Sequence, residues 1–419
     1  MFEKFNPGTI KKTFQEFPLK FWVLVAATFI DMIGGTLIFP FFALYVTQKF
    51  SVGMTQAGVL LATFSGFGLL GSMIGGALTD KFGRKGMVLF GLVFSALSSL
   101  AMGLVNQIAV FYPLAMFVGF LSNIAGPARQ AMVADLLPEE KRTEGFGILR
   151  VSGNLAWIMG PTIGGFVASH SYLLLFILDA VASLITASIV LKLIPETRPM
   201  PKEGQQGESL LQTMLGYRVV LADRVYIAFL VVSILMLVVY NQMYNSLSVY
   251  LRDVHGIPTQ GYGFLLSLDA AIVVLFQFWV TRRIKDWPPM LMMALGTAFY
   301  LVGFSMYGFV STYALFVVAI ILITIGEMIV VPVGQGLAAN FAPADMRGRY
   351  MAFFGLSWSI PSMIGPWAAG LILDNYNPNW LWYAAGIVSF IAVMGFLWLY
   401  SITRERFAVV AQEALAGAD

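Results

Sequence analysis

The stretch that decides the fold lies at residues 71–85 and joins an apolar helix to a tight basic turn. It reads Gly71-Ser72-Met73-Ile74-Gly75-Gly76-Ala77-Leu78-Thr79-Asp80-Lys81-Phe82-Gly83-Arg84-Lys85. Small residues let one helix backbone approach another closely in lipid. Basic residues beside an apolar helix mark the cytoplasmic side of a membrane. The stretch therefore predicts a hinge between two membrane-spanning helices, with its turn on the cytoplasmic side.

The composition of the whole chain also indicates a membrane protein. The 419 residues are 58% hydrophobic and only 11% charged, which is too few polar side chains to cover a water-soluble globule of this size. The sequence contains no cysteine, which excludes disulfides, thiolate metal sites and cysteine nucleophiles. The two histidines, His170 and His255, fall in predicted loops. We therefore expect neither a metal site nor an enzyme active site, and no basic patch for nucleic acid is present.

Apolar segments long enough to cross about 30 Å of hydrocarbon occur twelve times. They lie at roughly 21–48, 55–79, 86–105, 109–136, 143–168, 172–194, 225–251, 259–281, 289–309, 312–341, 346–373 and 379–402. Of the 25 Lys and Arg residues, only Lys49 and Arg252 fall on the side opposite the termini, and Arg129 and Arg150 fall inside predicted helices. Because positive charge collects on the cytoplasmic side, we expect a plasma (inner) membrane protein with both termini in the cytoplasm.

A polar interruption rich in proline and glycine divides these helices six and six. We predict a cytoplasmic N-terminal segment at 1–20, an N-terminal six-helix bundle at 21–195, a cytoplasmic linker at 196–224, a C-terminal six-helix bundle at 225–403 and a cytoplasmic tail at 404–419.

The two halves match at a constant offset of 205 residues, which indicates a duplication. Tyr45 corresponds to Tyr250, Gly58 to Gly263, Gly160-Pro161 to Gly365-Pro366 and Gly165 to Gly370. Because each copy has an even number of helices, both copies enter the membrane in the same sense, as parallel repeats. The fold class that we expect is an all-α membrane protein with twelve transmembrane helices in two pseudo-symmetric six-helix bundles.

The stretch at 71–85 resembles the signature between the second and third helices of the major facilitator superfamily, and the duplication extends this resemblance over nearly the whole chain. In that family the cluster latches the cytoplasmic side shut in the outward-open state. The resemblance implies a gating role, with Arg84 paired to an acid at the end of the fourth helix, for Gly76, Asp80, Gly83, Arg84, Lys85 and Asp135. The alternative is that these charges only anchor the loop and fix its orientation.

The fifth predicted helix carries a second resemblance. Its Gly160-Pro161 and Gly164-Gly165 pairs resemble the motif of the proton-coupled multidrug antiporter branch, which implies gating. A kinked, packed helix is the alternative, because Gly365-Pro366 repeats the pattern. Ala156 stands where the branch has a glycine, and the arginine that the branch carries midway along the fourth helix is missing near Leu114. The proton-coupling residues of that branch therefore cannot all be assigned to this chain.

Charged residues inside predicted spans are costly to bury and are functional candidates. The proton-coupling candidates are Asp31, Arg129, Arg150, Asp269 and Glu327, and Asp179 in the peripheral sixth helix is a lesser one. Asp31, Arg129 and Arg150 have similar predicted depths, so we expect one electrostatic group that either exchanges a proton or acts as a static ion pair. Glu327 has the neutral Ser122 as its repeat partner, which favours a function over a structural hydrogen bond.

Polar side chains inside the spans predict a substrate cavity. Because unpaired amides do not belong in lipid, we expect them to line such a cavity, and hydrogen bonding between helices is the alternative. The candidates are Asn123, Asn154, Tyr240, Asn241, Gln242, Tyr244, Asn245, Gln277 and Trp358.

The resemblance implies a secondary active transporter that works by alternating access. We expect proton-driven export of amphipathic small molecules, with the substrate, protons and the lipid bilayer as partners, no nucleic acid, no cofactor and a monomeric state. Nothing resembles a nucleotide-binding phosphate loop, so an ion gradient must provide the energy. A proton-coupled metabolite or sugar transporter on the same scaffold is the nearest alternative, and a non-transporting membrane receptor is a more distant one.

Overall fold

The computed structural model describes residue 14 and residues 16–122, 124–138, 141–197, 218–343 and 346–416, and within them the chain forms helices and no strand. The α-helices are α1 (Leu19–Ile38), α2 (Phe42–Lys49), α3 (Met54–Phe82), α4 (Arg84–Leu104), α5 (Ile108–Ser122), α6 (Gly126–Leu136), α7 (Arg142–Ala168), α8 (Tyr172–Leu193), α9 (Arg224–Tyr240), α10 (Ser246–His255), α11 (Thr259–Ile284), α12 (Pro289–Met306), α13 (Tyr313–Phe341), α14 (Arg347–Asn375) and α15 (Trp380–Ala416). Short 3-10 segments at Phe39–Phe41 and Asn241–Met243 follow α1 and α9.

Eleven helical segments in the part of the chain that the structure describes are long and apolar enough to cross a membrane. The chain is therefore a multi-span membrane protein. The expected span at 143–168 is the 27-residue helix α7, which is not among the eleven; its several glycines and Arg150 lower its hydropathy. The count of twelve spans and the pseudo-symmetry of the halves stay predictions.

Large apolar side chains cover the outer surface of the helices. Leu97 is 62% exposed, Phe117 is 59% exposed and Leu275 is 68% exposed. Apolar surface costs about 25 cal/mol per Å² when it faces water. A surface of this kind is stable only where lipid replaces water.

Residue chemistry accounts for the helix ends. Pro40 lies in the 3-10 segment between α1 and α2, where its missing N–H interrupts the α-helical bonding pattern. Gly83 separates α3 from α4 with a φ of +87°, and Gly256 ends α10 with a φ of +62°, a conformation that glycine adopts without strain. His255, which the sequence placed in a loop, is the last residue of α10.

The chain forms two compact units. Unit 1 comprises Met1–Ser51, Thr63–Glu203 and Pro258–Ala270, and unit 2 comprises Val52–Ala62, Gly204–Ile257 and Ala271–Asp419. The boundaries predicted for the two bundles and their flanking segments stay predictions.

Each unit has its own apolar core. In unit 1, Phe21 and Leu24 of α1 pack with Leu92 of α4 and Met132 of α6. In unit 2, Met292 of α12 packs with residues of α11 and α13. These cores fix the helices that carry the charged side chains described below.

In unit 2, the Asp374 carboxylate near the end of α14 accepts hydrogen bonds from the backbone N–H groups of Met54 (2.8 Å) and Thr55 (2.7 Å) at the start of α3. A carboxylate at this position satisfies N–H groups that have no partner within their own helix. Gly370 lies against the backbone of Thr55, where a Cβ would approach it to 2.5 Å. The sequence did not single out Asp374.

Candidate functional site

An ion pair lies among the spanning helices of unit 1. Asp31 Oδ2 of α1 is 2.9 Å from Arg129 Nη2 of α6, and the two side chains are 14% and 35% exposed. The Ser183 hydroxyl of α8 donates to the other carboxylate oxygen, Asp31 Oδ1, at 3.1 Å. Three helices therefore meet at one carboxylate.

The other charged candidates lie elsewhere in the two units. Arg150 is exposed on α7, Asp269 of α11 is buried, and Glu327 of α13 is half-buried. The expectation that Arg150 joins Asp31 and Arg129 in one electrostatic group stays a prediction, as do the coupling roles of all five candidates.

Glu327 lies at a tight helix contact in unit 2. The neighbouring Gly326 packs against the Gly296 carbonyl oxygen of α12, where a Cβ would be only 2.6 Å away. The Gln277 amide of α11 donates to the Met328 carbonyl (2.9 Å). The Oε2 atom of Glu327 is shielded from solvent. Glu327 thus lies where α11, α12 and α13 meet.

The polar candidates of α9 and the 3-10 segment after it bond mainly along their own chain. The side-chain amides of Asn241, Gln242 and Asn245 are buried and donate to carbonyl oxygens four residues earlier, at distances of 2.8 to 3.3 Å. These bonds satisfy the backbone around the break at 241–243. Because these bonds run along one segment and not between helices, both the cavity role of these amides and its alternative, hydrogen bonding between helices, stay predictions.

The remaining cavity candidates are mostly aromatic. The Tyr240 and Tyr244 hydroxyls are 3.0 Å apart, and the Trp358 ring stands perpendicular to the Tyr240 ring with centroids 6.1 Å apart. Asn154, Gln277 and Trp358 are half-buried. Asn123 lies outside the described residues.

An apolar groove of about 570 Å³ lies between α1 and α7 in unit 1. Its walls are almost entirely apolar, and Ser152 is a polar exception. They include Trp22, Ala26, Phe29, Ile148, Val151 and Leu155. The sequence did not predict this groove. Apolar residues at helical spacing occur in every span, and they do not show where two helices leave a concave surface between them.

The basic turn between α3 and α4 is held by residues of unit 1. Arg84 Nε lies 3.2 Å from Asp135 Oδ2, as the sequence led us to expect. The Glu196 carboxylate accepts hydrogen bonds from the backbone N–H groups of Arg84 (2.9 Å) and Lys85 (3.2 Å), and it thereby caps the positive end of the α4 dipole. The sequence missed Glu196, which it placed in the linker.

For two gating candidates in this region, Gly76 and Asp80, the structure describes no side-chain contact. Gly76 lies within α3, and the side chain of Asp80 lies outside what the structure describes. The gating role of the whole turn stays a prediction.

The glycines of α7 allow close helix contacts. Gly160 faces Thr36 of α1, and a Cβ on Gly164 would be 2.7 Å from the Leu37 carbonyl oxygen. A Cβ on Gly165 would be 3.1 Å from the Thr259 carbonyl oxygen at the start of α11, and the Pro161 carbonyl faces Gly263 of that helix. Close packing is therefore observed at these residues, and their gating role stays a prediction.

His255 and Lys141, which lie outside the spans, have shifted pKa values. Burial lowers the pKa of His255, whose ring lies between Tyr250 and Phe316 with centroids 5.1 and 4.8 Å away. Hydrogen bonds to Glu16 and then Glu144 raise the pKa of Lys141. Neither group contacts the ion pair of Asp31 and Arg129 in the described contacts.

In the part of the chain that the structure describes, the fold is all-helical with several membrane spans and an ion pair between spanning helices, an arrangement that polytopic membrane transporters also have. A family model described as Major Facilitator Superfamily matches residues 24–366 and 292–416. The chain belongs to this superfamily, which confirms the resemblance seen in the sequence. It is a transporter and not an enzyme.

Several curated relatives match over most of their length. The chain is 28% identical to an uncharacterized MFS-type transporter, YttB, of Bacillus subtilis, over 85% of this chain and 88% of the relative. It is 27% identical to a Na(+), Li(+), K(+)/H(+) antiporter of Planococcus maritimus, over 88% and 93%. It is 22% identical to the multidrug resistance protein MdtH of Shigella flexneri, over 94% and 97%.

Solved structures share the fold at low sequence identity. The nucleoside transporter NupG matches with a TM-score of 0.78 and 13% identity, covering 91% of this chain and 99% of that one. The peptide transporter POT in complex with sulfate matches with a TM-score of 0.76 and 17% identity, covering 93% and 95%. At these identities the likeness concerns the fold alone.

Proposed function

We propose that this transporter is a proton-coupled antiporter that exports amphipathic small molecules from the cytoplasm. The observation that carries the proposal is the ion pair between Asp31 and Arg129 inside the spanning helices. Ionisable groups within a membrane protein are expensive to keep and mark ion or proton pathways. The energy source is the proton gradient, and no cofactor is part of the proposal.

The ion pair offers a simple coupling step. Protonation of Asp31 removes its charge and with it the attraction to Arg129, and deprotonation restores both. Because Asp31 also accepts the Ser183 hydroxyl, the protonation state of one carboxylate affects the packing of α1, α6 and α8. A proton that binds one arrangement of these helices better than another shifts the population between them.

The apolar groove between α1 and α7 supports the substrate class. Its volume of about 570 Å³ falls within the range of about 300–1,000 Å³ that is usual for small-molecule sites. Its nearly uniform apolar wall suits the apolar part of an amphipathic compound, and carries few groups for the hydroxyls of a sugar. The multidrug resistance relative, MdtH, agrees with this substrate class.

Exchange of monovalent cations for protons is a second candidate function. It is favoured by the relative described as a Na(+), Li(+), K(+)/H(+) antiporter, which matches over nearly its whole length. The same carboxylate of Asp31 would serve this reaction.

Purified protein in liposomes that contain a pH-sensitive dye tests the proposal. A pH gradient is imposed, and uptake of amphipathic compounds, cationic and neutral, is recorded together with the internal pH. We expect at least one compound to move against the protons. Asp31→Asn should abolish the gradient dependence, whereas the control Asp253→Asn should not, because Asp253 is an exposed carboxylate that pairs with its neighbour Arg252.

Other outcomes of the same assay separate the alternatives. Proton flux that responds to NaCl, LiCl or KCl but to no organic compound would establish cation exchange instead. Substrate and protons moving in the same direction would favour a metabolite or sugar transporter. No flux of any kind from protein that is folded and correctly inserted would favour a receptor.

A further inference from the structure

Asp179 of α8 is more deeply buried than a residue of a peripheral helix should be. It is only 8% exposed, although α8 is otherwise highly apolar and is one of the candidate membrane spans. A carboxylate removed from water is stable only when it is paired, hydrogen-bonded or neutral. The surroundings of Asp179 show which of these applies.

Serine hydroxyls of α4 and α8 lie around Asp179 and Asp31. On α4, the Ser99 hydroxyl donates to the Phe176 carbonyl oxygen (3.2 Å) and lies beside the Asp179 carboxyl group, and Ser95 lies one turn earlier. On α8, Ser183 lies one turn after Asp179; its hydroxyl donates to Asp31 Oδ1 (3.1 Å) and lies 3.4 Å from Ser95 Oγ. Serines of two facing helices thus lie beside the two carboxylates.

Helix α1 brings the carboxylates to the same face. Gly34 lies one turn after Asp31, and a Cβ at Gly34 would be only 2.6 Å from Asp179 Oδ1. The missing side chain makes room for the Asp179 carboxylate against α1, beside Asp31. Because Asp31 and Gly34 are separated by a rise of only about 4.5 Å along α1, the two acids lie close together.

Asp31, Asp179 and Arg129 together carry a net charge of −1 while both acids are ionised. Arg129 of α6 faces Asp31 at 2.9 Å, α4 contributes only hydroxyls, and Asp179 forms no ion pair in the part of the chain that the structure describes. Two carboxylates that share one site do not both ionise readily, because like charges in a low-dielectric region repel. One added proton neutralises the cluster.

We propose that Asp31 and Asp179 share one exchangeable proton, which resides on Asp179 while Asp31 is paired with Arg129. When the pair opens, the O–H bond at Asp179 breaks and an O–H bond forms at Asp31, by way of the serine hydroxyls, so the net charge is unchanged. Asp31 is the more exposed of the two acids and exchanges the proton with water. The role of this proton in transport rests on the proposed function. The presence of the proton on one of the two acids, Asp31 or Asp179, does not.

Infrared spectroscopy of the full-length protein in lipid at neutral pH tests this directly. A protonated carboxyl has a C=O stretching band that a carboxylate lacks. The spectrum of wild type minus that of Asp179→Asn should contain this band, and the spectrum of wild type minus that of the exposed control Asp253→Asn should not. Identical carboxyl bands in wild type and Asp179→Asn would overturn the proposal.

A second variant keeps the test valid if Asp179→Asn folds poorly. Ser99→Ala removes a hydroxyl that lies beside the carboxyl group, so the band should persist at a shifted frequency. An unshifted band would count against its assignment to Asp179. Loss of the band on addition of NaCl at constant pH would also count against the proposal, because a metal cation would then occupy the site. Because the spectra require no substrate, failure of this assignment is distinguishable from failure of proton-coupled transport.

Discussion

Breaking the ion pair between Asp31 and Arg129 should destabilise unit 1 by an amount that depends on the partner left behind. In Asp31→Asn the guanidinium of Arg129 remains among the spanning helices without its counter-charge, and in Arg129→Gln the same is true of the Asp31 carboxylate. In the double variant neither charge remains. We therefore expect the double variant to be more stable than the sum of the two single losses predicts.

The exposures of the two side chains set the magnitude. Removal of one partner from a fully buried pair costs about 3–5 kcal/mol, and an exposed pair contributes less than about 1 kcal/mol. Arg129 is 35% exposed and Asp31 is 14% exposed, so solvent screens this pair in part. We expect a coupling energy of about 2 kcal/mol, within the range of about 0.5–3 kcal/mol measured for contacting residues.

A double-mutant cycle on the free energy of unfolding in lipid bicelles, measured by steric trapping, checks this value. The matched control combines Asp31→Asn with Arg84→Gln, because Arg84 pairs with Asp135 and shares no described contact with Asp31. That cycle should be additive to within about 0.5 kcal/mol. If the cycle of Asp31 and Arg129 is equally additive, the ion pair does not stabilise the protein and the reasoning is refuted.

The remaining predictions concern three other groups. Glu327→Gln mimics a permanently protonated carboxyl, so substrate exchange in proteoliposomes should persist while a pH gradient no longer drives accumulation; gradient dependence equal to wild type would exclude a coupling role. Asp135→Asn removes the partner of Arg84, so transport should be slower with insertion intact if the turn acts in gating; an unchanged rate would leave only loop anchoring. Because the pKa of His255 in the folded protein is below its ordinary value of 6.5, stability should fall as pH drops below that value, and the difference in melting temperature between wild type and His255→Gln should vary with pH only there; a constant difference would contradict the shift.

The sequence predicted the membrane class and the family, because hydropathy, charge asymmetry and the motif at 71–85 are properties of the chain itself. It also led to the pairing of Arg84 with Asp135, since the predicted spans place both at the same side of the membrane. Asp31 and Arg129 were placed at similar depth by residue counting, and the structure shows them in contact.

The sequence could not predict contacts that depend on how the helices pack against one another. Asp179 was treated as peripheral because helix position in the chain does not reveal which face of α8 meets α1. Glu196 and Asp374 each cap a helix distant in the sequence, and no local pattern marks such a contact. The apolar groove was invisible for the same reason: a concave surface depends on how two helices diverge and not on their composition.

Coupling of substrate to protons is the central claim, and one measurement tests it without any imposed pH gradient. Proteoliposomes are loaded with a transported compound, diluted into buffer without it, and followed simultaneously for loss of the compound and for internal pH. The account predicts that protons enter as the compound leaves, so the interior acidifies, and that Asp31→Asn abolishes the acidification. An internal pH that stays constant while the wild-type protein releases the compound would contradict the account.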